Sequence, residues 1–122
     1  MLSPNALGGV LNPDTIPLLR CHIVCSGANN QLHTDPDDAR FLAARDIVYA
    51  SDYVVNSGGL ISAAVARNSF DEDRAREIAD RVYETTRTLL TTTRAEGIST
   101  AVAALNLVNA RLEAAAAVRA RT

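Results

Sequence analysis

Apolar residues recur at helical spacing through the second half of the chain. Between residues 71 and 95 they recur every third or fourth position, which predicts one long amphipathic helix. Asp71, Glu72 and Asp73 crowd its first turn, where the helix dipole favours acidic side chains, and Gly97 is placed to end it. The stripe expected to face the core consists of Ala75, Ile78, Ala79, Val82, Thr86, Leu89 and Leu90.

A second helix follows the glycine. Ser99 or Thr100 is a suitable N-cap, and Ala101, Leu105, Val108 and Leu112 share one face of the helix that would follow. The alanine run at 114–117 adds helix propensity. The sequence therefore predicts a pair of long helices over residues 71–119.

The elements predicted in the first half of the chain are shorter. The segment 1–20 is turn-rich and ends in a short helical turn at Leu19. A run of β-branched residues predicts a strand over 21–26, followed by a loop over 27–30. A helix is predicted over 36–46, with Asp35 as its cap and Pro36 at its first position. The acidic residues Asp35, Asp37 and Asp38 are interpreted as charges that cap this helix.

A second strand is predicted within 47–57, placed at 53–56, and Gly58-Gly59 then opens a helix from Leu60 to about Asn68. Strands that alternate with helices indicate an α/β domain with a parallel sheet and crossover connections. Two or three strands make a thin sheet, and a parallel sheet normally has both faces covered. The pattern is typical of part of a larger α/β domain.

Composition narrows the function classes. The chain has 122 residues, 48% of them hydrophobic and only 4% aromatic, so one domain with an aliphatic core is expected. The net charge is −2 without a basic patch, which argues against nucleic-acid binding. All 12 basic residues are arginine, so chemistry that needs a lysine must come from elsewhere.

The sequence also bears on compartment and cysteine chemistry. No apolar run of about 18 residues and no basic, apolar leader are apparent, so we expect a cytoplasmic protein without a membrane span.

Cys21 and Cys25 would lie on one face of a strand, about 13 Å apart, which is too far for a disulfide. They are interpreted as small buried hydrophobic residues, and no metal site is predicted, because no Cys/His pair has zinc spacing.

Four stretches of the chain together resemble the leucine/phenylalanine/valine dehydrogenase family, the NAD-dependent enzymes that oxidatively deaminate amino acids. In order, they are Pro4-Asn5-Ala6-Leu7-Gly8-Gly9-Val10-Leu11-Asn12 with Thr15-Ile16-Pro17, Ile23-Val24 through Gly27-Ala28-Asn29-Asn30-Gln31-Leu32, Asp52-Tyr53-Val54-Val55-Asn56-Ser57-Gly58-Gly59-Leu60-Ile61, and Glu96-Gly97-Ile98-Ser99-Thr100. The resemblance covers the C-terminal third of such an enzyme. It implies a truncated Rossmann-like half-domain, with two to three parallel strands and long C-terminal helices, over residues 1–122; strands and short helices would occupy 1–68.

The resemblance also implies roles for particular residues. Positions matching Ala6, Leu7, Ala28, Asn29, Asn30 and Asn56 lie along the cofactor in the family, and Asn56, Gly58, Gly59, Leu60 and Ala63 match positions near the substrate. Asn56 is expected at the carboxyl end of a strand, where ligands of open parallel sheets gather. The family's lysine-bearing domain and glycine-rich phosphate turn have no counterpart here, since the chain contains neither lysine nor a G-x-G-x-x-G motif.

Each candidate also has a structural interpretation. Asn29 and Asn30 are good turn residues, and Asn56 is a good cap for the helix from Gly58 onward. His22 and His33 are either ordinary structural histidines or general bases of a new activity, and Asp52 and Tyr53 are further candidates for such chemistry.

Three functions stay open. The leading hypothesis is a repurposed, cofactor-independent enzyme of the cyclase, isomerase or dehydratase type, with a small-molecule ligand near Asn29, Asn56 and Gly58. The second is the NAD-binding half of a split dehydrogenase, completed by a lysine-bearing partner; the chain alone would then not be a self-sufficient dehydrogenase and would not bind NAD unaided. The third is a non-catalytic binding or scaffold module. In each case an exposed strand edge predicts a homodimer or higher oligomer.

Overall fold

Two short parallel strands organise the first half of the chain. A computed structural model describes residues 1–66 and 71–120. In it, β1 (Ile23–Val24) pairs in parallel with β2 (Val48–Tyr49), with Ile23 opposite Val48 and Val24 opposite Tyr49. Leu2 forms a parallel bridge to Val24, and the Leu2 amide donates to the Ile23 carbonyl at 2.8 Å. The predicted α/β class with a parallel sheet is confirmed, although the strand predicted over 21–26 is only two residues long.

Helices make up most of the remainder. A short 3₁₀ turn covers Ile16–Leu18, and the described residues then form five α-helices in chain order: α1 (Asp37–Ala43), α2 (Asp52–Val55), α3 (Gly58–Ala66), α4 (Glu72–Glu96) and α5 (Thr100–Arg119). The crossover from β1 to β2 runs through α1, as a parallel pair requires. The predicted end of the third helix at Asn68 lies outside the described residues.

The second strand is not where the sequence pattern predicted it, and the prediction of 53–56 was wrong. The strand lies at 48–49, where the Val48 amide donates to the His22 carbonyl and the Ala50 amide to the Val24 carbonyl, both at 2.9 Å. Residues 52–55 instead form α2. The β-branched residues within 53–56 were a weak signal for a strand. Pairing with β1 and burial of Tyr49 decide which residues are extended.

The start of α1 also differs from the prediction. Asp35 does not cap the helix, and Pro36 precedes it rather than occupying its first position. The buried carboxylate of Asp38 instead accepts from the Thr34 amide at 2.6 Å. This hydrogen bond ties the entering chain to the first turn of α1.

The predicted helical pair is confirmed. Asp71 accepts from the Arg74 amide at 3.0 Å at the start of α4, and Gly97 ends that helix with a left-handed φ of 66°. A side chain at Gly97 would be strained in that conformation. Ser99 then caps α5 by accepting from the Val102 amide at 3.3 Å.

The core-facing side of α5 was predicted incorrectly. Leu105 and Leu112 are 53% and 64% exposed, whereas Ala101, Ala103 and Ala104 are buried. Small side chains allow α5 to approach its neighbours closely. The first residue of α5 also contacts the sheet, because the Thr100 hydroxyl donates to the Tyr49 carbonyl at the end of β2. In α4, Leu89 is buried, but Ala79 of the predicted stripe is exposed.

One main cluster forms the core. Its buried members are Leu11, Ile16, Val24, Ala39, Leu42, Ile47, Tyr49 and Ala101. A second cluster joins Leu89 of α4 to Ala103 and Ala104 of α5. Cys21 and Cys25 are free thiols and half-buried, rather than fully buried as predicted.

Helix α5 is long and apolar enough to cross a membrane by length and composition, contrary to the expectation from the sequence. Only 17% of its most apolar stretch is buried in this structure. The core helices of soluble proteins pass the same test, so one such helix is weak evidence for a span.

Replacing Leu42 by alanine is expected to lower the free energy of unfolding by about 2 to 5 kcal/mol, because Leu42 is 0% exposed at the centre of the main cluster. Phe41→Ala is the matched control on the same helix, since Phe41 is 37% exposed and loses less burial. Urea unfolding followed by circular dichroism measures both. Equal losses for the two variants would contradict this assignment of the core.

Candidate functional site

Polar groups converge where the two strands end. The chain leaves β1 into the loop at 25–30 and leaves β2 into α2, and parallel strands place these two exits at one edge of the sheet. Asp52 connects them: its Oδ2 accepts from the Asn30 amide at 2.5 Å and its Oδ1 from the Tyr53 amide at 2.9 Å. One carboxylate therefore fixes the loop after β1 against the start of α2.

A pair of side-chain amides lies at the same edge. The Nδ2 of Asn56 donates to the Oδ1 of Asn29 at 2.6 Å, and we call these two residues the amide pair. Asn56 follows the last turn of α2, so the expected position at a strand end was wrong. It is the C-cap of α2, whereas the structural interpretation made it a cap for the helix from Gly58 onward. No other hydrogen bond from the described residues engages the Nδ2 of Asn29 or the Oδ1 of Asn56.

The N-terminal loop closes over this edge. Asn5 Oδ1 accepts from the Gly27 amide at 2.9 Å, and the Gly9 amide donates to the Asn30 carbonyl at 2.7 Å. Gly8 is pressed against the same loop, because a Cβ there would lie 2.9 Å from the Asn30 carbonyl oxygen. The backbone around Asn29 and Asn30 is thus held from both sides, and Asn30 adopts a left-handed φ of 51°.

The residues predicted to contact a cofactor are only partly brought together. Asn29, Asn30 and Asn56 form the connected edge described above. Ala28 is buried beneath it, so its side chain faces the protein interior, and its amide donates to the Pro4 carbonyl at 3.2 Å. Ala6 and Leu7 are exposed in the adjoining loop.

The residues predicted to contact a substrate lie on α3. A Cβ built on Gly58 or Gly59 meets no atom within 4 Å, so the backbone there is open to close approach. Leu60 and Ala63 are exposed. A cavity of about 370 Å³ between the helices is lined instead by their neighbour Ile61, together with Val54 and Leu107. The roles of these four positions stay predictions.

The catalytic candidates separate into two places. His22 is exposed just before β1, where its carbonyl accepts from the Val48 amide. His33 and Asp52 line a cleft of about 330 Å³ beside the end of β2, which we call the tyrosine cleft. Its other walls are Asn30, Gln31, Leu32, Asp35, Tyr49, Ser51 and Tyr53.

The tyrosine cleft is electrostatically negative. Burial, reinforced by the charges of Asp52 and Asp35, raises the pKa of Tyr49 far above its usual value. Burial, and to a smaller degree the same two carboxylates, also raises the pKa of Tyr53. Both phenols therefore keep their protons at neutral pH.

Sequence reasoning missed Gln31, Tyr49 and Ser51 as members of this site. Nothing in their local pattern distinguishes them, because the cleft forms only when the loop after β1 meets the end of β2. The described residues contain no group of three His, Cys, Asp or Glu side chains that could hold a metal ion.

Comparison with known proteins shows that the chain is similar to a part of several amino acid dehydrogenases. It is 44% identical over 110 residues to the valine dehydrogenase of Streptomyces coelicolor and 36% identical over 112 residues to the L-tryptophan dehydrogenase of Nostoc punctiforme. These matches cover 90% and 92% of this chain. The crystal structure of the tryptophan dehydrogenase matches 91% of this chain with a TM-score of 0.86.

The match is to a part of each relative. The chain spans about a third of their length, 30% of the valine dehydrogenase and 32% of the tryptophan dehydrogenase. The glutamate dehydrogenase of Peptoniphilus asaccharolyticus, 18% identical with a TM-score of 0.63, shares the fold. No protein-family model matches the chain.

Gly8→Ala is expected to displace the loop that carries the amide pair, because the new Cβ would lie 2.9 Å from the Asn30 carbonyl oxygen and 3.3 Å from that of Asn29. We expect a loss of about 1 to 3 kcal/mol in unfolding free energy and shifted amide signals at Asn29 and Asn30. Gly58→Ala is the control, since it enters open space on a helix. Unchanged Asn29 and Asn30 signals in the Gly8 variant would contradict this packing.

Proposed function

Because this chain belongs to the amino acid dehydrogenase family and corresponds to the C-terminal third of its members, we propose that it supplies the nicotinamide side of an NAD site in an amino acid dehydrogenase. The observation that carries the proposal is the amide pair at the carboxyl edge of the parallel strands, joined by a 2.6 Å hydrogen bond. Ligands of open parallel sheets bind at that edge.

The chemistry of the amide pair fits one end of the cofactor. A nicotinamide carboxamide offers two donors and one acceptor, and the free Nδ2 of Asn29 and Oδ1 of Asn56 offer the complementary groups. Because the backbone of this loop is held by Asp52, Asn5 and Gly8, the amides are positioned before the ligand arrives. NAD supplies hydride chemistry when bound, and this chain would bind and orient its nicotinamide.

The fit does not extend to the rest of the cofactor. No G-x-G-x-x-G turn is present to hold the pyrophosphate, and no lysine is present for amino acid chemistry. In this proposal both come from a lysine-bearing segment, on the same polypeptide or on a partner. The substrate is an aliphatic or aromatic amino acid, since the relatives are valine, leucine, phenylalanine and tryptophan dehydrogenases.

Self-association is part of the proposal. Leu105 and Leu112 expose apolar surface on one helix, which favours a homodimer or higher oligomer. We propose a soluble, cytoplasmic assembly, in which α5 is covered by protein rather than by lipid. Sedimentation at several concentrations distinguishes this assembly from a monomer.

A second candidate function rests on the tyrosine cleft. His33 and Asp52 share this cleft with two protonated phenols, which is a set of acid and base groups that a cofactor-independent enzyme of the cyclase, isomerase or dehydratase type would need. We rank it second because the relatives that the chain resembles are dehydrogenases, and none of them favours such a reaction. The third possibility, a non-catalytic scaffold, predicts neither turnover nor nucleotide binding.

A chimera tests the leading proposal. The first two thirds of the Streptomyces coelicolor valine dehydrogenase, fused to this chain, is expected to reduce NAD with valine as substrate. Asn56→Ala is expected to lower kcat/KM about tenfold or more, because it removes one of the two amides offered to the nicotinamide. The activity is followed by NADH absorbance.

Asn106→Ala is the matched control, an exposed asparagine on α5 outside the stripe of Leu105 and Leu112, and is expected to leave kcat/KM unchanged. A chimera that is folded by circular dichroism but binds no NADH would overturn the proposal. Turnover of a small molecule by this chain without nicotinamide would instead favour the second candidate.

A further inference from the structure

The tyrosine cleft contains acceptors that the described residues do not use. Gln31 is 0% exposed; its Nε2 donates to the Ala28 carbonyl at 2.9 Å, but its Oε1 has no hydrogen-bond partner. Ser51 is 4% exposed, and its hydroxyl oxygen is likewise unpartnered at hydrogen-bond distance, although it lies near enough to the Tyr53 phenol to influence it. Buried acceptors normally have partners, so two in one cleft point to a donor that arrives with a ligand.

The charge of the cleft indicates the sign of that ligand. Asp35 accepts no hydrogen bond from the described residues, while both oxygens of Asp52 are engaged by backbone amides. No arginine is among the residues that line the cleft, and the chain has no lysine. The two carboxylates therefore share the cleft with one histidine, His33, and with no arginine or lysine, and together with burial they raise the pKa of both phenols.

We propose that the tyrosine cleft binds a primary alkylammonium group. Such a group has three N–H donors, which match the Asp35 carboxylate, the Oε1 of Gln31 and the hydroxyl oxygen of Ser51. Tyr49 and Tyr53 line the same cleft, and aromatic side chains attract cations that approach their ring faces. The volume of about 330 Å³ admits a short alkyl chain behind the ammonium.

This site is separate from the amide pair. Neither Asn29 nor Asn56 lines the cleft, so ammonium binding does not depend on the NAD proposal. The two are connected only through Asp52 and the backbone of Asn30, which contribute to both. The ammonium could belong to a free amine or to the lysine side chain of another polypeptide, and the experiment separates these sources.

The test uses the whole chain and n-butylammonium chloride, followed by amide signals in ¹H–¹⁵N spectra. We expect saturable shifts at Asn30, Gln31 and Asp52, and no shifts with n-butanol, which has the same length but no charge. Asp35→Asn is expected to weaken binding about tenfold. Asp37→Asn is the matched control, because Asp37 is exposed, pairs with Arg40 at 3.0 Å and does not line the cleft.

A second variant tests binding in a protein whose stability is not expected to fall. Ser51→Ala removes a buried hydroxyl that has no partner, so the thermal midpoint is expected to stay equal or rise while butylammonium binding weakens. A capped Gly-Lys-Gly peptide that binds as tightly as butylammonium identifies a lysine side chain as an acceptable source; a peptide that fails while butylammonium binds assigns the site to free amines. Absence of saturable shifts, or equal affinity in the Asp35 and Asp37 variants, overturns the proposal.

Discussion

The carboxylate of Asp52 is the interaction on which the arrangement of the candidate site depends. The parallel pairing of β1 with β2 places two chain exits at one edge, but pairing alone does not fix the loops that follow. Asp52 accepts amides from both sides of that edge, Asn30 at 2.5 Å and Tyr53 at 2.9 Å. Asn30 and Asp52 also line the tyrosine cleft, and Asn29 of the amide pair directly precedes Asn30.

The same contacts explain why the edge is ready for a ligand. Gly8 and Asn5 hold the loop from the N-terminal side, while Asp52 holds it from α2. A loop fixed by backbone contacts loses little further conformational freedom on binding, which preserves affinity. The phosphate turn, which this sequence lacks, would have to come from the rest of such a site.

Much of the fold was accessible from the sequence because its signals are local. Asp71, Gly97 and Ser99 bound the two long helices through caps that depend only on neighbouring residues. The second strand was misplaced because extension at Val48 and Tyr49 is decided by pairing with β1, twenty-five residues earlier in the chain. The buried face of α5 was misjudged because close approach selects Ala103 and Ala104 over larger neighbours.

The residues of the candidate site were likewise predictable from the sequence only in part. Asn29, Asn30 and Asn56 were identified through family resemblance, and the structure joins them, whereas the 2.6 Å contact of the pair could not be derived from their spacing. Gln31, Tyr49 and Ser51 were missed because the tyrosine cleft exists only after the two loops meet.

Saturation-transfer NMR of NADH with the chimera of the valine dehydrogenase and this chain, in which the valine dehydrogenase part supplies the phosphate turn, tests the central claim most directly. If the amide pair forms the nicotinamide side of an NAD site, the strongest transfer reaches the nicotinamide ring protons, and Asn29→Ala reduces it. Transfer confined to the adenine protons, or none at either ring, would contradict the account.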